Sequence, residues 1–548
     1  MVAPDSPPAG ASHGRIQRSI ALSAAILMLG SVLSRVLGLV REQLAAGYFG
    51  AGDEIAAFTI ADNLQTLLFD LMVSGALQAA LIPVLAQLVL PDHMEQAELR
   101  RVGGALVTWV IAGTGVLALL GMLLAPQVVA GLVWFSGDEV ARGDEARELT
   151  IRLVRIVMPA SALLGLGTVL QAMLHAIGAV TAPALATAVR NFSIIVAMVV
   201  LADALGVESM AWGTLAGAAL IVFVQLVPLA RHHALPVPNL DLGHPAIRRM
   251  GVLYLPVFAG LLVSSLAVIV DRGLAWGAGE LAVGAMRYAT TLVQLVLGLI
   301  AAAMSLASLP MLSRHFSAGD ERSFAATLSR VLGMVTVLIL PATVGLAVLA
   351  RPITTLLFGH GATGPDGVDA ITIALLGYLP GTLAAAYDQV LIFAFYARHN
   401  TRTPVIVGVL AVLVYFAAAF SLVGPLGMLG LVLANSFQFI AHALVMWWAI
   451  RSIGVQPFGP DFIRSLRGSV VATVTMAVAV AVAFLGLTRV VGLGTGIDAS
   501  IVAQLAQVTI PALIGVAVYG LVLRRAGVRE LADLQVAIGR RLGRIVVR

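Results

Sequence analysis

Long apolar stretches alternate with short charged ones along most of the chain. Apolar runs of about 20 residues, the length that crosses a bilayer core as a helix, recur from near Ser19 to Leu523. The charged segments between them leave no room for a large soluble domain. The pattern predicts an all-α polytopic membrane protein with about fourteen transmembrane helices, at residues 19–46, 56–88, 103–135, 148–176, 182–203, 209–230, 250–276, 284–312, 325–357, 366–396, 404–423, 428–451, 464–488 and 500–523.

The composition agrees with a membrane protein that carries out no covalent chemistry. Hydrophobic residues make up 60% of the 548 residues and charged residues 11%, whereas a soluble domain carries about 25% charged residues. The chain has no cysteine, which excludes disulfides and thiolate chemistry. It also lacks the motifs of a phosphate-binding P-loop, a nucleophile elbow and a zinc protease. We therefore predict that the protein is not an enzyme, needs no cofactor or metal, and does not bind nucleic acid.

The placement of arginine predicts the orientation, because cytoplasmic loops carry an excess of basic residues. One set of loops carries Arg15, Arg18, Arg100, Arg101, Arg231, Arg248, Arg249, Arg314, Arg322, Arg398, Arg402, Arg451, Arg464 and Arg467, and the C-terminal tail on the same side adds Arg524, Arg525, Arg529, Arg540, Arg541, Arg544 and Arg548. The alternate loops are mainly acidic. Both termini are therefore predicted to be cytoplasmic.

The two ends of the chain have their own composition. Residues 1–14 are rich in proline, glycine and serine, which predicts a disordered N-terminal tail. Residues 524–548 predict a basic amphipathic helix that lies on the anionic cytoplasmic leaflet. A helix docked on the protein itself is the alternative for this C-terminal tail.

An internal repeat is indicated by two pairs of similar segments. "AALIPVLAQL" followed by Pro126 resembles "SLASLPMLSRHF" followed by Pro352, and "QAMLHAIGAVTAP" resembles "FAFYARHNTRTP". Because six is even, duplicated six-helix halves share one topology and form a parallel pseudo-two-fold repeat. We predict an N-lobe at 15–230, a C-lobe at 231–451 and two further helices in 452–523. The alternative is a chance likeness between glycine-rich apolar helices.

Charged residues inside the predicted spans are the candidate site. A charge at the bilayer centre costs from roughly 2.5 kcal/mol upward, so such residues usually face a cavity or a partner. Arg35 and Arg41 are about 9 Å apart along the first helix. The candidate substrate-binding residues are Arg35, Arg41, Glu42, Asp62, Asp70, Asp271, Arg272, Arg287 and Asp388.

Two interpretations of these charges stay open. In the functional one, they line a polar cavity between the lobes, where arginines attract an anionic head group such as a phosphate. In the structural one, Asp62 or Asp70 neutralises Arg35 or Arg41 and holds the first two helices together. Side chains near helix ends, such as Glu42, Asp271 and Arg287, could also snorkel to the interface. For Arg190, in the fifth helix, we expect a structural role.

Several segments resemble one family of transporters. "SRVLGLVREQLAAGYFGAG", "SGALQAALIPVLA", "VDRGLA", "RYATTL" and "FYARHNTRTP" are similar to motifs of the MviN/MurJ lipid II flippases, in the multidrug/oligosaccharidyl-lipid/polysaccharide exporter superfamily. The resemblance runs from about residue 19 to residue 523. It implies a flippase of the bacterial cytoplasmic membrane that moves an undecaprenyl-diphosphate-linked peptidoglycan precursor by alternating access. The implied partners are the lipid-linked oligosaccharide, membrane lipid and the cell-wall synthesis machinery.

The resemblance also assigns roles to individual residues. The family's paired cavity arginines of the first helix fall on Arg35 and Arg41, and its following acid falls on Glu42. The chain departs from the family elsewhere: Phe69 and Asp70 stand where an arginine pair is usual, and Ala56, Ser74, Thr290 and Thr291 replace charged residues. Two alternatives therefore remain: an exporter of another polyprenyl-linked glycan or amphipathic small molecule, and a membrane scaffold that has lost transport.

Overall fold

The computed structural model describes residues 9–73, 85, 96–135, 143–241, 267–528 and 530. The helices up to the middle of the chain are α1 (Ala9–Phe49), α2 (Asp53–Val73), α3 (Gln96–Leu123), α4 (Ala125–Phe135), α5 (Gly143–Ala176), α6 (Thr181–Leu205), α7 (Glu208–Arg231) and α8 (267–277). The remaining helices are α9 (Ala282–Ser317), α10 (Glu321–Val348), α11 (Ala350–Phe358), α12 (Pro365–Ala397), α13 (Arg402–Leu426), α14 (Met428–Ser452), α15 (Pro460–Leu485), a π-helical turn (Gly486–Val490) and α16 (Ile501–Arg525).

Several predictions lie partly outside the described residues. They are the first eight residues of the predicted disordered tail, the last part of the predicted helix 56–88 with most of the "AALIPVLAQL" and "SGALQAALIPVLA" segments, the first part of the predicted helix 250–276, and nearly all of the basic C-terminal tail. Helix α1 already includes residues 9–14.

The predicted all-α membrane architecture is confirmed. Eleven of the described helices are long and apolar enough to cross a membrane, and no strand occurs in the described ranges. Helices α1, α2 and α8 lie where the first, second and seventh spans are predicted, and with them each of the fourteen predicted positions contains helix among its described residues.

Two predicted helices are each broken into a long and a short helix. The predicted helix 103–135 is interrupted at Leu124, and the predicted helix 325–357 is interrupted at Leu349. In both cases a proline, Pro126 or Pro352, follows two or three residues later, in the first turn of the new helix. Proline lacks the backbone N–H that a continuing helix would need, but it is well suited to a helix start. The prediction of one continuous helix was therefore wrong at both places. The two breaks, before Pro126 and before Pro352, lie at equivalent positions of the repeat.

The chain divides into two compact units. The first comprises Met1–Ala45, Ala57–Trp134 and Arg142–Val270; the second comprises Ala46–Ala56, Phe135–Ala141 and Asp271–Arg548. The main division between these compact units falls inside α8, and the second unit includes α15 and α16.

Helix packing follows the same order in both units. In the first unit α3 packs on α5, α5 on α7, and α6 on α7. In the second, α10 packs on α12, α12 on α14, and α13 on α14. The core of the first unit is built from apolar side chains of α3, α5 and α7, including Leu99, Leu170, Met173 and Leu229. This recurrence is what a parallel repeat requires.

The segment that follows α7 is fastened to the start of α3. The backbone N–H of Val237 donates to the carbonyl of Arg100 over 3.0 Å, and the Asn239 amide donates to the carbonyl of Arg101 over 2.7 Å. An ion pair of 2.7 Å joins Arg101 to Asp241. We call residues 234–241 the linker strap.

The described start of the C-terminal tail docks on the protein. The hydroxyl of Ser465, in α15, donates to the carboxylate of Glu530 over 2.6 Å, and Glu530 is buried. Val528 is buried in the same apolar cluster as Ala472 and Leu523. For these residues the alternative of docking on the protein holds, and the membrane-surface helix stays a prediction for the rest of the tail.

Candidate functional site

Arg41 is held by two partners inside the first unit. Its guanidinium pairs with Glu42 and donates from Nη1 to the amide oxygen of Asn191 over 3.0 Å. The side chain of Arg41 is 18% exposed, and that of Glu42 is 1% exposed. Glu42 therefore does not snorkel to an interface, and the acid that neutralises Arg41 is Glu42 rather than Asp62 or Asp70. The acid one residue along the chain fixes the arginine in place.

Asn191 is a polar link between α6 and α1 that sequence reasoning left out of the site. Its amide oxygen accepts from Arg41, while its amide nitrogen donates to the carbonyl of Ser34 over 3.0 Å. Asn191 is buried, so both hydrogen bonds are shielded from water and lipid. The dipeptide Arg190–Asn191 within an apolar run was the sequence signal that could have identified it.

Arg35 lines a cavity between α1 and α6. The cavity has a volume of about 420 Å³ and is bordered by Gly30, Ser31, Ser34, Arg35, Ala184 and Thr187. Helix α6 comes so close here that a β-carbon on Gly30 would lie 2.2 Å from the carbonyl oxygen of Ala184. The volume lies in the range of small-molecule sites, and hydroxyl groups and a guanidinium are suitable donors to an anion.

The two acids of α2 have different surroundings. Asp62 accepts from Arg190 of α6 over 2.8 Å, and the amide oxygen of Gln65 lies 3.5 Å from the same guanidinium nitrogen. Asp70, two turns further along α2, is exposed. Arg190 thus has the structural partner that we expected of it, and that partner is one of the candidate site residues.

In the second unit, Asp271 and Arg272 lie side by side on α8. Their side chains form an ion pair of 3.5 Å, and the Tyr415 hydroxyl of α13 donates to Asp271. Each of the two charged side chains is partly buried, and the Nε atom of Arg272 has no hydrogen-bond partner among the described residues. Tyr378 of α12 lies close to both charges. Arg272 therefore keeps a buried donor that no described residue uses.

Arg287 and Asp388 complete the candidate set, and they lie on different helices, α9 and α12. Arg287 is half-buried near the start of α9. Asp388 of α12 is 6% exposed and pairs with the imidazole of His442 on α14. His442 escaped sequence reasoning because a single histidine in an apolar run gives no sign of a partner 54 residues away.

Six of the nine candidate residues lie in four polar clusters, two in each unit. The clusters are Arg41–Glu42–Asn191 and Asp62–Arg190 in the first unit, and Asp271–Arg272–Tyr415 and Asp388–His442 in the second. Within the described ranges, no group of three or more histidine or acidic side chains is arranged to hold a metal ion. Three of the four clusters contain an arginine, whose guanidinium can bind an anion.

Known proteins resemble this chain over most of its length. The lipid II flippase MurJ of Burkholderia cenocepacia is 28% identical over 454 residues, covering 82% of this chain and 87% of that protein. The probable lipid II flippase MurJ of Vibrio cholerae is 27% identical over 448 residues, covering 80% of this chain and 84% of that protein.

Solved structures share the fold. A lipid II flippase MurJ in an inward closed conformation superposes with a TM-score of 0.73 at 21% identity, covering 93% of this chain and 100% of that chain. An inward-facing multidrug resistance transporter of the MATE family, in the MOP superfamily, gives a TM-score of 0.66 at 14% identity, covering 78% of this chain and 98% of that chain.

The sequence profile of one family matches more than four fifths of the chain. The profile is described as lipid II flippase MurJ, and the match extends over residues 45–518. That range begins near the end of α1 and reaches into α16, so it includes parts of both compact units. This chain belongs to the lipid II flippase MurJ family.

Proposed function

We propose that this chain translocates lipid II, an undecaprenyl-diphosphate-linked peptidoglycan precursor, from the inner to the outer leaflet of the bacterial cytoplasmic membrane. The observation that carries the proposal is the family match over residues 45–518, which includes parts of both compact units. Relatives that bear the name lipid II flippase cover 80% or more of this chain in two organisms. We further propose that transport follows alternating access and that both termini are cytoplasmic.

The chemistry of the substrate suggests which groups bind it. A diphosphate carries several negative charges, and arginine binds phosphate oxygens with two parallel hydrogen bonds. Arg35 borders an open cavity, and Arg41 is oriented by Glu42 and Asn191 while 18% of its side chain stays exposed. We propose Arg35 and Arg41 as head-group ligands in the first unit.

In the second unit, we propose Arg272 and Arg287 as ligands of the head group. Arg272 keeps a buried Nε without a hydrogen-bond partner in the described part of the chain, which a phosphate oxygen would satisfy. Asp271, Glu42 and Asp62 then orient arginines rather than touch the substrate, because a carboxylate repels a diphosphate. The cell-wall synthesis machinery is the proposed partner of the transporter.

Complementation tests the proposed function. A bacterial strain depleted of its own lipid II flippase should grow when it expresses this chain, and should not grow with Arg35→Ala or Arg41→Ala. Phe192→Ala is the control, because Phe192 lies beside Asn191 on α6 and is exposed. All variants must reach the membrane in equal amounts. Normal growth with both arginine variants would remove the head-group assignment, and failure of the unaltered chain despite good expression would contradict lipid II transport in the cell.

A second function has one observation in its favour. Asp70 is exposed on α2 at a position where the resemblance expects an arginine, and a carboxylate there would repel a diphosphate. An exporter of a different polyprenyl-linked glycan or an amphipathic molecule would tolerate that charge. Asp70→Arg separates the two functions: better complementation supports lipid II as the substrate, whereas loss of a complementation that the unaltered chain provides supports another one.

A further inference from the structure

Asp388 and His442 form a buried acid–imidazole pair in the second unit. The Nδ1 atom of His442 is hydrogen-bonded to Oδ1 of Asp388. Asp388 is 6% exposed and His442 is 7% exposed. Ionisable residues inside a membrane-spanning bundle are costly and usually serve transport, often as proton relays.

The two helices that carry the pair pack closely together about two turns away from it. Helices α12 and α14 approach so tightly that the backbone N–H of Gly381 donates to the hydroxyl of Ser436 over 3.1 Å. Apolar side chains of α12 on either side of Asp388, such as Ala386 and Val390, are buried. Little water therefore surrounds Asp388, and its negative charge must be balanced locally.

Among the described residues, His442 is the group that can balance the negative charge of Asp388. Tyr396, on α12, is the titratable side chain beside Asp388. Helices α9, α10, α11 and α13 also pack on α12 but bring no described charged group that acts on Asp388. The buried tyrosine of α13, Tyr415, donates to Asp271 instead.

One proton makes this pair electrically neutral. With that proton shared between carboxylate and imidazole, the net charge is zero, whereas losing it leaves a negative charge and gaining a second leaves a positive one. Both charged states are disfavoured in an apolar interior. The pair therefore binds one proton firmly while it is enclosed, and exchanges it once a conformational change admits water.

The second ring nitrogen of His442 provides the route for the proton. Nε2 faces Gly408 of α13, where even an added β-carbon would lie 3.8 Å away. No hydrogen bond to Nε2 is formed within the part of the chain that the structure describes. A water molecule could approach on this side.

We propose that the Asp388–His442 pair is a proton-binding site, loaded and unloaded once in each transport cycle, so that the proton gradient drives translocation. The inference rests on the proposed function for its role in transport. The binding of a proton to the pair can be tested independently of any substrate.

The substrate-free test is infrared difference spectroscopy of the purified full chain between about pH 5 and 8, the range in which histidine titrates. The unaltered chain should give a band for a carboxyl group that changes with pH, and this band should be absent in both Asp388→Asn and His442→Gln. His175→Gln is the matched control, because His175 lies in a membrane helix with its Nδ1 buried and without a partner among the described residues. A band that persists in both pair variants would overturn the proton site.

The transport test uses proteoliposomes that contain lipid II, with the membrane potential clamped at zero. If one proton accompanies each lipid, a pH difference of one unit should shift the steady-state distribution between leaflets by up to about tenfold. Asp388→Asn and His442→Gln should still equilibrate lipid II but lose this shift, whereas His175→Gln should keep it. Equilibration that ignores the pH gradient in the unaltered chain would overturn proton coupling and leave the flippase intact. No movement of lipid II at all would contradict the proposed function, and the infrared band would then decide the proton site.

Discussion

Arg190 donates to Asp62 over 2.8 Å, which joins α6 to α2 within the first unit. The two side chains are 21% and 17% exposed, and the amide oxygen of Gln65 lies beside them. Asp62, one of the candidate substrate ligands, therefore has a structural role: its ion pair with Arg190 holds α2 and α6 together. The adjacent Asn191 turns the other way and serves Arg41.

This ion pair should show a measurable coupling energy. Removal of one partner leaves the other charge in a poorly solvated place, so Asp62→Leu and Arg190→Leu should each destabilise the protein. The double variant should lose less stability than the sum of the two single losses, because it leaves neither charge behind. We expect a coupling of about 1–2 kcal/mol from a double-mutant cycle, measured by unfolding in detergent.

A more exposed ion pair gives the comparison for that cycle. Arg152 and Glu208 form an ion pair of 3.2 Å with side chains 53% and 27% exposed. Their cycle should give a coupling at the low end of about 0.2–1 kcal/mol. Equal coupling in the two cycles would show that Asp62 and Arg190 are solvated in the membrane protein.

Sequence reasoning found the helices more completely than the site, for a physical reason. Apolar runs are local, so the fourteen positions could be predicted; the breaks at Leu124 and Leu349 were missed because hydrophobicity continues through them. Arg41 and Glu42 are neighbours in the chain, so their pairing was within reach. Partners that come together only by tertiary packing, such as Asp388 and His442, left no periodic signal.

Asn191 should matter for transport as much as Arg41 does. Asn191→Leu removes the acceptor for Nη1 of Arg41 and the donor to the Ser34 carbonyl. A hydrogen bond to a charged group contributes about 1.5–3 kcal/mol, so the guanidinium should lose its orientation. We expect Asn191→Leu to abolish complementation in the depleted strain, while Phe192→Ala grows normally. Normal growth of Asn191→Leu at equal membrane levels would mean that Glu42 alone positions Arg41.

Tyr415 should stabilise the second unit through Asp271. Tyr415→Phe keeps the ring and removes the hydroxyl that donates to the carboxylate. The expected loss is about 1.5–3 kcal/mol, because the acceptor is charged and partly buried, and it should appear as a lower thermal unfolding temperature in detergent. Tyr48→Phe is the control, since Tyr48 is exposed. The same unfolding temperature for both variants would argue against a hydrogen bond to Asp271.

Gly104 should determine whether the linker strap stays on α3. A β-carbon at Gly104 would lie 1.7 Å from the carbonyl oxygen of Val237, which is far closer than any real contact. Gly104→Ala should therefore displace residues 234–241 and break the hydrogen bond between the Val237 N–H and the Arg100 carbonyl. Hydrogen exchange measured by mass spectrometry should become faster in the strap while α3 itself stays protected.

A second glycine of α3 provides the control, because the helix itself favours alanine over glycine. Gly115 lies in the same helix and has no atom within 4 Å of an added β-carbon. Gly115→Ala should leave exchange in the strap unchanged and stabilise α3 by up to about 1 kcal/mol. If Gly104→Ala behaves like Gly115→Ala, the strap is not seated against α3 in the membrane, and its hydrogen bonds to Arg100 and Arg101 do not hold it there.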